Sequence, residues 1–451
     1  MKKKWIAIMM GTVLVAGVLG GCIMAEETGA EGGVSVHENE KSITGYTANF
    51  LYQDEKATDV KLVGGFQFYK SGDIRVYSNG FVLPANDSAR NYCIGADEWE
   101  PDQEWKHFGD MGESVDMTED GNGVWSVSVD LPGGYYLYQY RVSYDGGESW
   151  ENITDPQNVP ACNEKLNAEQ TRSQFFVPYS EKQGEEEYYD WSWAAPIGDE
   201  SKQGQILAVT YDGLDGEQNA EIYLPAGYDE KREEPYKVLY LSHGGGGNEG
   251  DWFYQGNAGN ILDRLIADGD CEAFVVVCMD NMTYMQRFGD DIRQISGDTE
   301  YYMYCYDNIK NYLIPYVEKN YNVSSDAEGM AFAGLSNGAK QANEILIHDP
   351  EIFGYYGFFS GSSVWDWEEK EDYSAMQKAN IYLAAGWADQ VMMENSYHTD
   401  RDRTLIGIKE KLDAAEITYN NGGCYVTVEG GHDWFTWPQI LRDYVSTTLW
   451  K

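Results

Sequence analysis

The chain has 451 residues, which is enough for two domains with complete hydrophobic cores. It carries 75 acidic against 32 basic side chains, a formal net charge of -43 at pH 7. This excess of negative charge argues against nucleic acid and anionic lipid surfaces as partners.

The amino terminus has the features of an export signal. Three lysines at positions 2–4 precede an apolar stretch at 5–19, and two glycines lead into Cys22. This pattern is typical of a bacterial lipoprotein signal rather than a membrane-spanning helix. We therefore expect residues 1–21 to be removed and Cys22 to carry a lipid that anchors the exported protein at the cell surface; ordinary cleavage with a free Cys22 is the alternative. Residues 22–42, polar and acidic, are predicted to be a tether.

Residues 43–180 have the pattern of an all-β domain. Residues 123–131 alternate apolar and polar with period two, a Pro-Gly-Gly turn follows, and 135–142 is another strand pattern, which together predict a β-hairpin. With further strand patterns at 60–68 and 174–177, the sequence predicts an immunoglobulin-like β-sandwich. Its alternating aromatic side chains favour a packed core and a site-shaping role, and direct binding of glycan is the alternative.

The acidic run 181–204 is predicted to be a linker in which Trp191 and Trp193 dock onto one of the domains. Residues 205–451 then alternate strand and helix patterns, which predicts a mainly parallel sheet with helices on both faces. Strands are predicted near 206–211, 219–224, 237–242, 273–279, 329–334, 354–359, 380–385 and 424–428, and helices near 259–268, 305–320, 338–348, 402–415 and 437–449.

Ser336 is the candidate nucleophile. It lies in Gly334-Leu335-Ser336-Asn337-Gly338, between an apolar run at 330–333 and a helix pattern at 340–347. Two flanking glycines let a strand turn sharply into a helix, which holds the hydroxyl exposed at the helix N-terminus. The positive end of the helix dipole there favours the negative charge that develops during acyl transfer. An ordinary strand-to-helix turn is the alternative.

His432 is the candidate general base, because a hydrolase triad in this chain order runs serine, acid, histidine. His348 ends the helix pattern that follows the nucleophile, which leaves His398 and His432 as downstream histidines. His432 follows the strand pattern 424–428 and two glycines. A histidine in such a loop can reach over the carboxyl end of the sheet toward the serine.

Asp389 is the candidate acid, since it follows the strand pattern 380–385 between the nucleophile and the base. Asp433 is a rival, but neighbouring side chains in an extended loop point apart, which places its carboxylate poorly for the adjacent imidazole. Glu394 is a weaker reserve. A turn residue that caps the next segment is the structural alternative for Asp389.

Two backbone amides are predicted to form an oxyanion hole. One belongs to Asn337, directly after the nucleophile. The other is assigned to Gly245, with Gly246 as the second choice, because a buried-type strand at 238–241 leads into four glycines. A phosphate-binding loop is disfavoured since no Gly-Lys-Ser/Thr ending follows, and without zinc-ligand spacing among the cysteines no metal or other cofactor is predicted.

Three ordered motifs resemble those of a known family. They are His243-Gly-Gly-Gly-Gly-Asn-Glu-Gly-Asp-Trp-Phe253, Ala333-Gly-Leu-Ser-Asn-Gly338 and Gly430-Gly-His-Asp-Trp434. They look like motifs of the esterase-D-type α/β-hydrolases, in particular the feruloyl and acetyl-xylan esterases of carbohydrate esterase family 1. The resemblance covers residues 205–451 and implies the α/β-hydrolase fold, with Ser336 as nucleophile, His432 as base and Asp389 as acid.

One departure from the family pattern is Asn337, where members often carry Met. It is expected to affect selectivity more than chemistry, because the oxyanion donor there is a backbone amide. The β domain at 43–180 resembles, more weakly, the early-set, glycogen-binding-like modules found ahead of esterases.

These observations predict a surface-anchored serine esterase that removes feruloyl or acetyl esters from plant cell-wall xylan. Trp252, Asp280 and Trp434 are the predicted substrate contacts, and Trp365 and Trp387 also border the catalytic loops. For each tryptophan, a packing role is an equal alternative. The expected partners are an ester-substituted polysaccharide or oligosaccharide and, through the lipid anchor only, a membrane. Two alternatives stay open: a siderophore trilactone (enterochelin-type) esterase, for which basic residues are scarce, and a non-catalytic glycan-binding lipoprotein.

Overall fold

The computed structural model describes residues 33–70, 76–77, 80–81, 94–101, 105–108, 113–158, 172–184, 186–281, 284–288, 299–361, 372–387, 389–392, 404–420 and 425–451. Cys22, Trp365, Glu394 and His398 lie outside these residues. A β-rich region comes first, followed by a short connecting segment and an α/β region. No helix within the described ranges is both long enough and apolar enough to cross a membrane.

The β-rich region has fourteen strands among the residues described above. They are β1 (Gly33–Glu38), β2 (Tyr46–Gln53), β3 (Asp59–Gly64), β4 (Gln67–Lys70), β5 (Val76–Tyr77), β6 (Gly80–Phe81), β7 (Ile94–Gly95), β8 (Trp105–Phe108), β9 (Glu113–Asp116), β10 (Thr118–Glu119), β11 (Val124–Asp130), β12 (Gly134–Ser143), β13 (Glu151–Ile153) and β14 (Ser173–Val177). Two larger antiparallel sheets have the orders β1-β2-β11-β10 and β13-β12-β3-β9, and β14 also pairs with β12. Phe50 and Trp125 from one sheet pack with Leu62 and Tyr138 from the other in a shared core.

The predicted hairpin at 123–142 is wrong. β11 pairs with β2 and β12 pairs with β3, so the turn between them carries the chain from one sheet to the other. Gly133 in this turn packs against the connecting segment: its N–H donates to Gln183 Oε1, and a Cβ there would lie 2.4 Å from the carbonyl oxygen of Tyr189. A period-two pattern predicts which face of a strand is buried but not which strand it pairs with.

Two further boundaries differ from the sequence-based expectation. The tether predicted to extend to residue 42 includes β1, which pairs with β2 along its whole length. The strand predicted at 60–68 is two strands, because β3 and β4 belong to different sheets. In both cases hydrogen bonding to a partner strand decides the assignment.

The segment at 181–204 is folded against the α/β region rather than a free linker. It contains α1 (Glu186–Tyr189) and 3-10 turns at Glu181–Gln183, Ser192–Ala194 and Glu200–Lys202. The rings of Trp191 and Trp193 lie 4.7 Å apart, and the guanidinium of Arg442 lies 4.8 Å from the Trp193 ring. Both tryptophans pack into the core of the α/β region, which confirms that they dock onto a domain.

Within the described residues, the α/β region is built on one eight-stranded sheet. Its strands are β15 (Gln205–Gly213), β16 (Gly216–Leu224), β17 (Val238–Ser242), β18 (Val275–Met279), β19 (Met330–Leu335), β20 (Tyr355–Phe359), β21 (Asn380–Gly386) and β22 (Val426–Val428). The order is β15-β16-β18-β17-β19-β20-β21-β22, with β15 and β16 antiparallel to their neighbours and the remaining pairs parallel.

Helices cover both faces of this sheet, as predicted. They are α2 (Asp251–Tyr254), α3 (Ala258–Asp268), α4 (Met285–Phe288), α5 (Thr299–Asn308), α6 (Ile314–Asn320), α7 (Asn337–His348), α8 (Leu405–Ala414) and α9 (Thr436–Thr447), with a π-helical turn at Ile309–Leu313. Alternate residues of β17 belong to two cores: Tyr240 packs on the side of α7, and Leu241 packs on the side of α3 and α9. Since β17 to β22 run parallel, the loops that follow them meet at one edge of the sheet.

Candidate active site

Ser336 occupies a strained turn between β19 and α7. Its φ of 51° and ψ of -109° form a combination that non-glycine residues rarely adopt. A Cβ on Gly334 would lie 2.6 Å from the carbonyl carbon of Gly338, and a Cβ on Gly338 would lie 2.7 Å from the carbonyl oxygen of His243. Only glycine fits at these two positions, so the crossing of strand and helix holds the partly exposed serine in this turn.

Three side chains form one hydrogen-bonded chain at the carboxyl edge of the sheet. Ser336 Oγ lies 3.0 Å from His432 Nε2, and His432 Nδ1 lies 3.0 and 3.2 Å from the two carboxylate oxygens of Asp389. Because an ionised carboxylate only accepts, Nδ1 carries the proton and Nε2 presents its lone pair to the serine hydroxyl. The arrangement can move a proton from Ser336 to His432.

The electrostatics of His432 suit a base. Burial by itself lowers its pKa, but the charge and the hydrogen bond of Asp389, together with the charge of Asp433, raise the pKa above the ordinary value. A higher pKa makes the imidazole a stronger acceptor for the serine proton. The same shift means that His432 becomes neutral, and so able to accept that proton, only at a higher pH than free imidazole.

Asp433 accepts hydrogen bonds from backbone N–H groups on both sides of it in the chain. Its Oδ1 accepts the N–H of Phe435 at 2.9 Å and of Thr436 at 3.1 Å, and its Oδ2 accepts the N–H of Gly431 at 3.3 Å. Asp433 thus caps the start of α9 and shapes the loop that carries His432. The imidazole is hydrogen-bonded to Asp389 instead, as the orientation of neighbouring side chains predicts.

The glycine-rich loop after β17 lies against the serine. A Cβ on Gly244 would be 3.2 Å from Ser336 Cβ. The buried His243 donates its Nδ1–H to the Gly244 carbonyl oxygen at 2.7 Å. In a trans peptide the next N–H points opposite to that carbonyl, so the amide of the exposed Gly245 points away from His243. Asn337 is the first residue of α7, where the amide has no partner within the helix.

A buried network that sequence reasoning missed supports this loop. The backbone N–H of Asn281 donates to His243 Nε2 at 3.1 Å, and its side-chain amide donates to the His243 carbonyl oxygen at 2.7 Å. Asp280, predicted to contact substrate, places its carboxylate 3.4 Å from His243 Nε2. Burial lowers the pKa of His243, but the hydrogen bond and charge of Asp280 outweigh it and raise the pKa. Asn281 had no local sequence signal beyond its place after a strand.

The predicted aromatic substrate contacts divide into one buried and one accessible residue. Trp252 is 1% exposed and donates its Nε1–H to the Ser242 carbonyl oxygen at 3.0 Å, so its prediction as a substrate contact is wrong. Trp434 is partly exposed and packs edge-on to Trp252 with ring centroids 5.3 Å apart. It borders a small recess whose other walls include His107 and Gln174 of the β-rich region. Trp387 is also partly exposed.

Among the side chains that the structure describes, no group of three or more His, Cys, Asp or Glu is arranged to hold a metal ion. Three described cysteines, Cys271, Cys278 and Cys305, are free thiols.

Comparison with known proteins decides the family. The family model named Esterase matches residues 212–447, more than half of the chain. The chain belongs to this esterase family. With a serine on a strained turn hydrogen-bonded to His432, this member is a serine esterase.

Relatives of this esterase include longer enzymes. It is 29% identical over 349 residues, 76% of its length, to the Endo-1,4-beta-xylanase/feruloyl esterase of Xylanibacter ruminicola, and it spans 42% of that protein. A second relative, Endo-1,4-beta-xylanase Y of Acetivibrio thermocellus, is 28% identical over 169 residues, 35% of this chain and 14% of that protein. The esterase therefore spans less than half the length of these relatives.

Among solved structures, the enterobactin esterase FES from Shigella flexneri, in the presence of enterobactin, superposes with a TM-score of 0.50 at 14% identity, over 93% of this chain and 96% of that one. A mutant of the feruloyl esterase module from Clostridium thermocellum, complexed with sinapinate, gives a TM-score of 0.42 at 19% identity, over 58% of this chain and 90% of that one. At 14% identity, the similarity to the enterobactin esterase structure shows a shared fold and nothing more.

Proposed function

We propose that this esterase hydrolyses feruloyl or acetyl esters on plant xylan. The observation that carries the proposal is the hydrogen-bonded chain from Ser336 through His432 to Asp389, on the strained turn of an esterase-family protein. The choice of substrate is supported by the relative named Endo-1,4-beta-xylanase/feruloyl esterase, which aligns over 76% of the chain.

In the proposed reaction, His432 removes the Ser336 proton while Oγ attacks the ester carbonyl. The backbone amides of Asn337 and Gly245 stabilise the oxyanion of the tetrahedral intermediate. His432 then gives its proton to the departing sugar oxygen, which leaves an acyl-serine. Water, deprotonated by His432, attacks the acyl group, and its proton returns to Ser336 as the free acid leaves. Asp389 stabilises the imidazolium in both halves.

Trp434 is the proposed aromatic contact for the substrate, because it is partly exposed and lies two residues after His432. A flat indole face suits either a feruloyl ring or a sugar ring. Asp280 remains a candidate for a polar contact, since its side chain is 23% exposed beside the loop that holds Gly245.

We also propose that the protein is exported, carries a lipid on Cys22, and has an immunoglobulin-like, early-set module as its β-rich region. The basis for the anchor is the sequence of residues 1–22, and the basis for the module is two antiparallel sheets around one core. In bacterial cells, the wild type should incorporate labelled palmitate and Cys22→Ser should not. Equal incorporation of the label by the two proteins would reject Cys22 as the lipid anchor.

Ser336→Ala tests the proposed chemistry, with Ser360→Ala as a matched control. Ser360 is also a serine at the end of a strand with a φ of 51°, and it is fully buried. Both proteins and the wild type are assayed on methyl ferulate, acetylated xylan and p-nitrophenyl acetate. We expect Ser336→Ala to lose turnover by about 10⁶-fold and Ser360→Ala to retain it within about threefold.

The outcomes of these assays distinguish the proposed function from its two alternatives. Equal activity of the Ser336→Ala variant and the wild type would remove Ser336 from the mechanism. Turnover of a catecholate trilactone, without turnover of feruloyl or acetyl esters, would assign the siderophore function instead. Binding of xylan in a pull-down without turnover of any ester would leave a glycan-binding protein with an inactive esterase fold.

A further inference from the structure

The loop that carries His432 is covered by the β-rich region. Phe435, three residues after His432, is 4% exposed. Its ring meets the His107 ring of β8 edge-on, with centroids 4.3 Å apart and an interplanar angle of 74°. Trp191 and Tyr188 from the connecting segment lie 4.6 and 6.3 Å from the same ring. A residue of the catalytic loop is therefore enclosed by two other parts of the chain.

His107 is itself held in place by the β-rich region. Its Nε2–H donates to the Gly65 carbonyl oxygen, and its backbone N–H donates to the Tyr188 hydroxyl. Its ring also packs edge-on to Tyr136 at 4.8 Å. Burial lowers the pKa of His107 to about 4, so the side chain is neutral near pH 7. The contact with Phe435 is therefore one of packing rather than of charge.

Phe435 in turn packs closely against Gly430, which lies two residues before His432. A Cβ on Gly430, whose φ is 103°, would lie 2.9 Å from Phe435 Cδ1. On the opposite side, a Cβ on Gly386 at the end of β21 would lie 2.4 Å from the Gly430 carbonyl oxygen and 2.7 Å from that of Gly431. Gly430 is thus confined between Phe435 and the strand that leads to Asp389.

We propose that the β-rich region positions the general base. The His107 ring packs against Phe435, and this contact keeps His432 within hydrogen-bonding distance of Asp389 and Ser336. This inference rests on the proposed function, in which His432 is the base. His107 is then a positioning residue. The β-rich region becomes a structural part of the active site whether or not it also binds sugar.

His107→Ala tests the inference by opening a space beside Phe435. A displacement of about 1 Å in a catalytic geometry costs about 10²-fold in rate, so we expect kcat to fall about 10- to 100-fold while KM changes less than about threefold. The acid limb of the kcat profile should move to lower pH, because Asp389 raises the pKa of His432 and a loosened loop weakens that interaction. His107→Phe keeps a ring at the contact and should restore kcat to within about fivefold of the wild type.

Phe50→Ala is the matched control for lost stability. Phe50 is fully buried in the β-rich region, where its ring contacts Phe66, Tyr138 and Phe175. Both alanine variants weaken that region, but only His107→Ala removes the contact with Phe435. All variants are assayed well below their own melting temperatures. An equal fall in kcat for Phe50→Ala would assign the effect to stability and overturn the inference.

A double-mutant cycle with Phe435→Leu tests whether the two residues act together. We expect the double variant to have the kcat of the worse single variant, and additive losses would overturn the coupling.

A raised KM with unchanged kcat in His107→Ala would also overturn the inference, because it would assign His107 a substrate contact. Full activity of His107→Ala beside an inactive Ser336→Ala would reject this inference and leave the proposed function standing. An active Ser336→Ala would reject the proposed function.

Discussion

Replacing Asp389 by Asn perturbs the hydrogen-bonded chain at its most buried member. Asp389 Oδ1 accepts the N–H of Val391 at 2.9 Å, and the side chain is fully buried. Val391 therefore keeps the amide oxygen of the new side chain at the Oδ1 position. The amide nitrogen then takes the Oδ2 position, 3.2 Å from His432 Nδ1, so one of the two atoms that accept the Nδ1–H becomes a donor that opposes it, and only the oxygen at 3.0 Å still accepts.

The conflict is relieved if His432 moves its proton to Nε2, and in that tautomer it cannot accept the Ser336 proton. The same change in a serine triad with intact geometry lowers kcat about 10⁴-fold, equivalent to about 5 kcal/mol of transition-state stabilisation. The lost negative charge also lowers the pKa of His432, since Asp389 raises it. Because the neutral imidazole is the active form, the acid limb of kcat/KM moves to lower pH.

The assay measures kcat and KM on p-nitrophenyl acetate from about pH 5 to about pH 9. Asp433→Asn is the control, because an amide oxygen can still accept the backbone N–H groups that Asp433 caps. We expect this control to keep kcat within about tenfold of the wild type and to lose less than about 1 kcal/mol of stability. A kcat for Asp389→Asn within about tenfold of the wild type, or a larger loss in Asp433→Asn, would refute the assignment of Asp389.

His243→Ala removes the donor that orients the Gly244–Gly245 peptide, so kcat on methyl ferulate should fall about 10²-fold with KM little changed; an unchanged kcat would reject this role. Glu221→Gln tests how the stability of the folded protein depends on pH. Burial raises the pKa of Glu221 from 4.5 to about 8, so between these values the folded protein holds a proton that the unfolded chain has lost, and stability falls as pH rises. Thermal melts at about pH 5 and about pH 8 should differ less for the variant than for the wild type, and an equal difference in both proteins would contradict the expectation.

Much of the catalytic region can be predicted from the sequence, because its strands and its nucleophile turn are encoded by residues close together in the chain. The strands β17 to β21 appear as apolar runs within about two residues of their observed bounds. Since the loops after parallel strands meet at one edge of the sheet, Ser336, Asp389 and His432 can be assigned to one place without knowledge of the packing. The glycines that flank Ser336 also follow from sequence, because a strand cannot cross a helix there with a Cβ present.

The β-rich region shows what such patterns leave undetermined. Alternation with period two correctly placed Trp125 and Tyr138 in a core, but the strands that carry them lie in different sheets. A hydrogen-bond partner along a strand edge is chosen by the whole chain, since any strand offers the same row of amides and carbonyls.

The sequence by itself determined which side chains do the chemistry, because Ser336, Asp389 and His432 each follow a strand pattern and a nearby glycine. What only the tertiary structure decided is how those groups are held. The hydrogen bonds that join His243 to Asn281, and the ring contact between His107 and Phe435, link residues far apart in the chain. Side chains have no local pattern that specifies a distant neighbour, because such contacts form only when complete elements pack to high density.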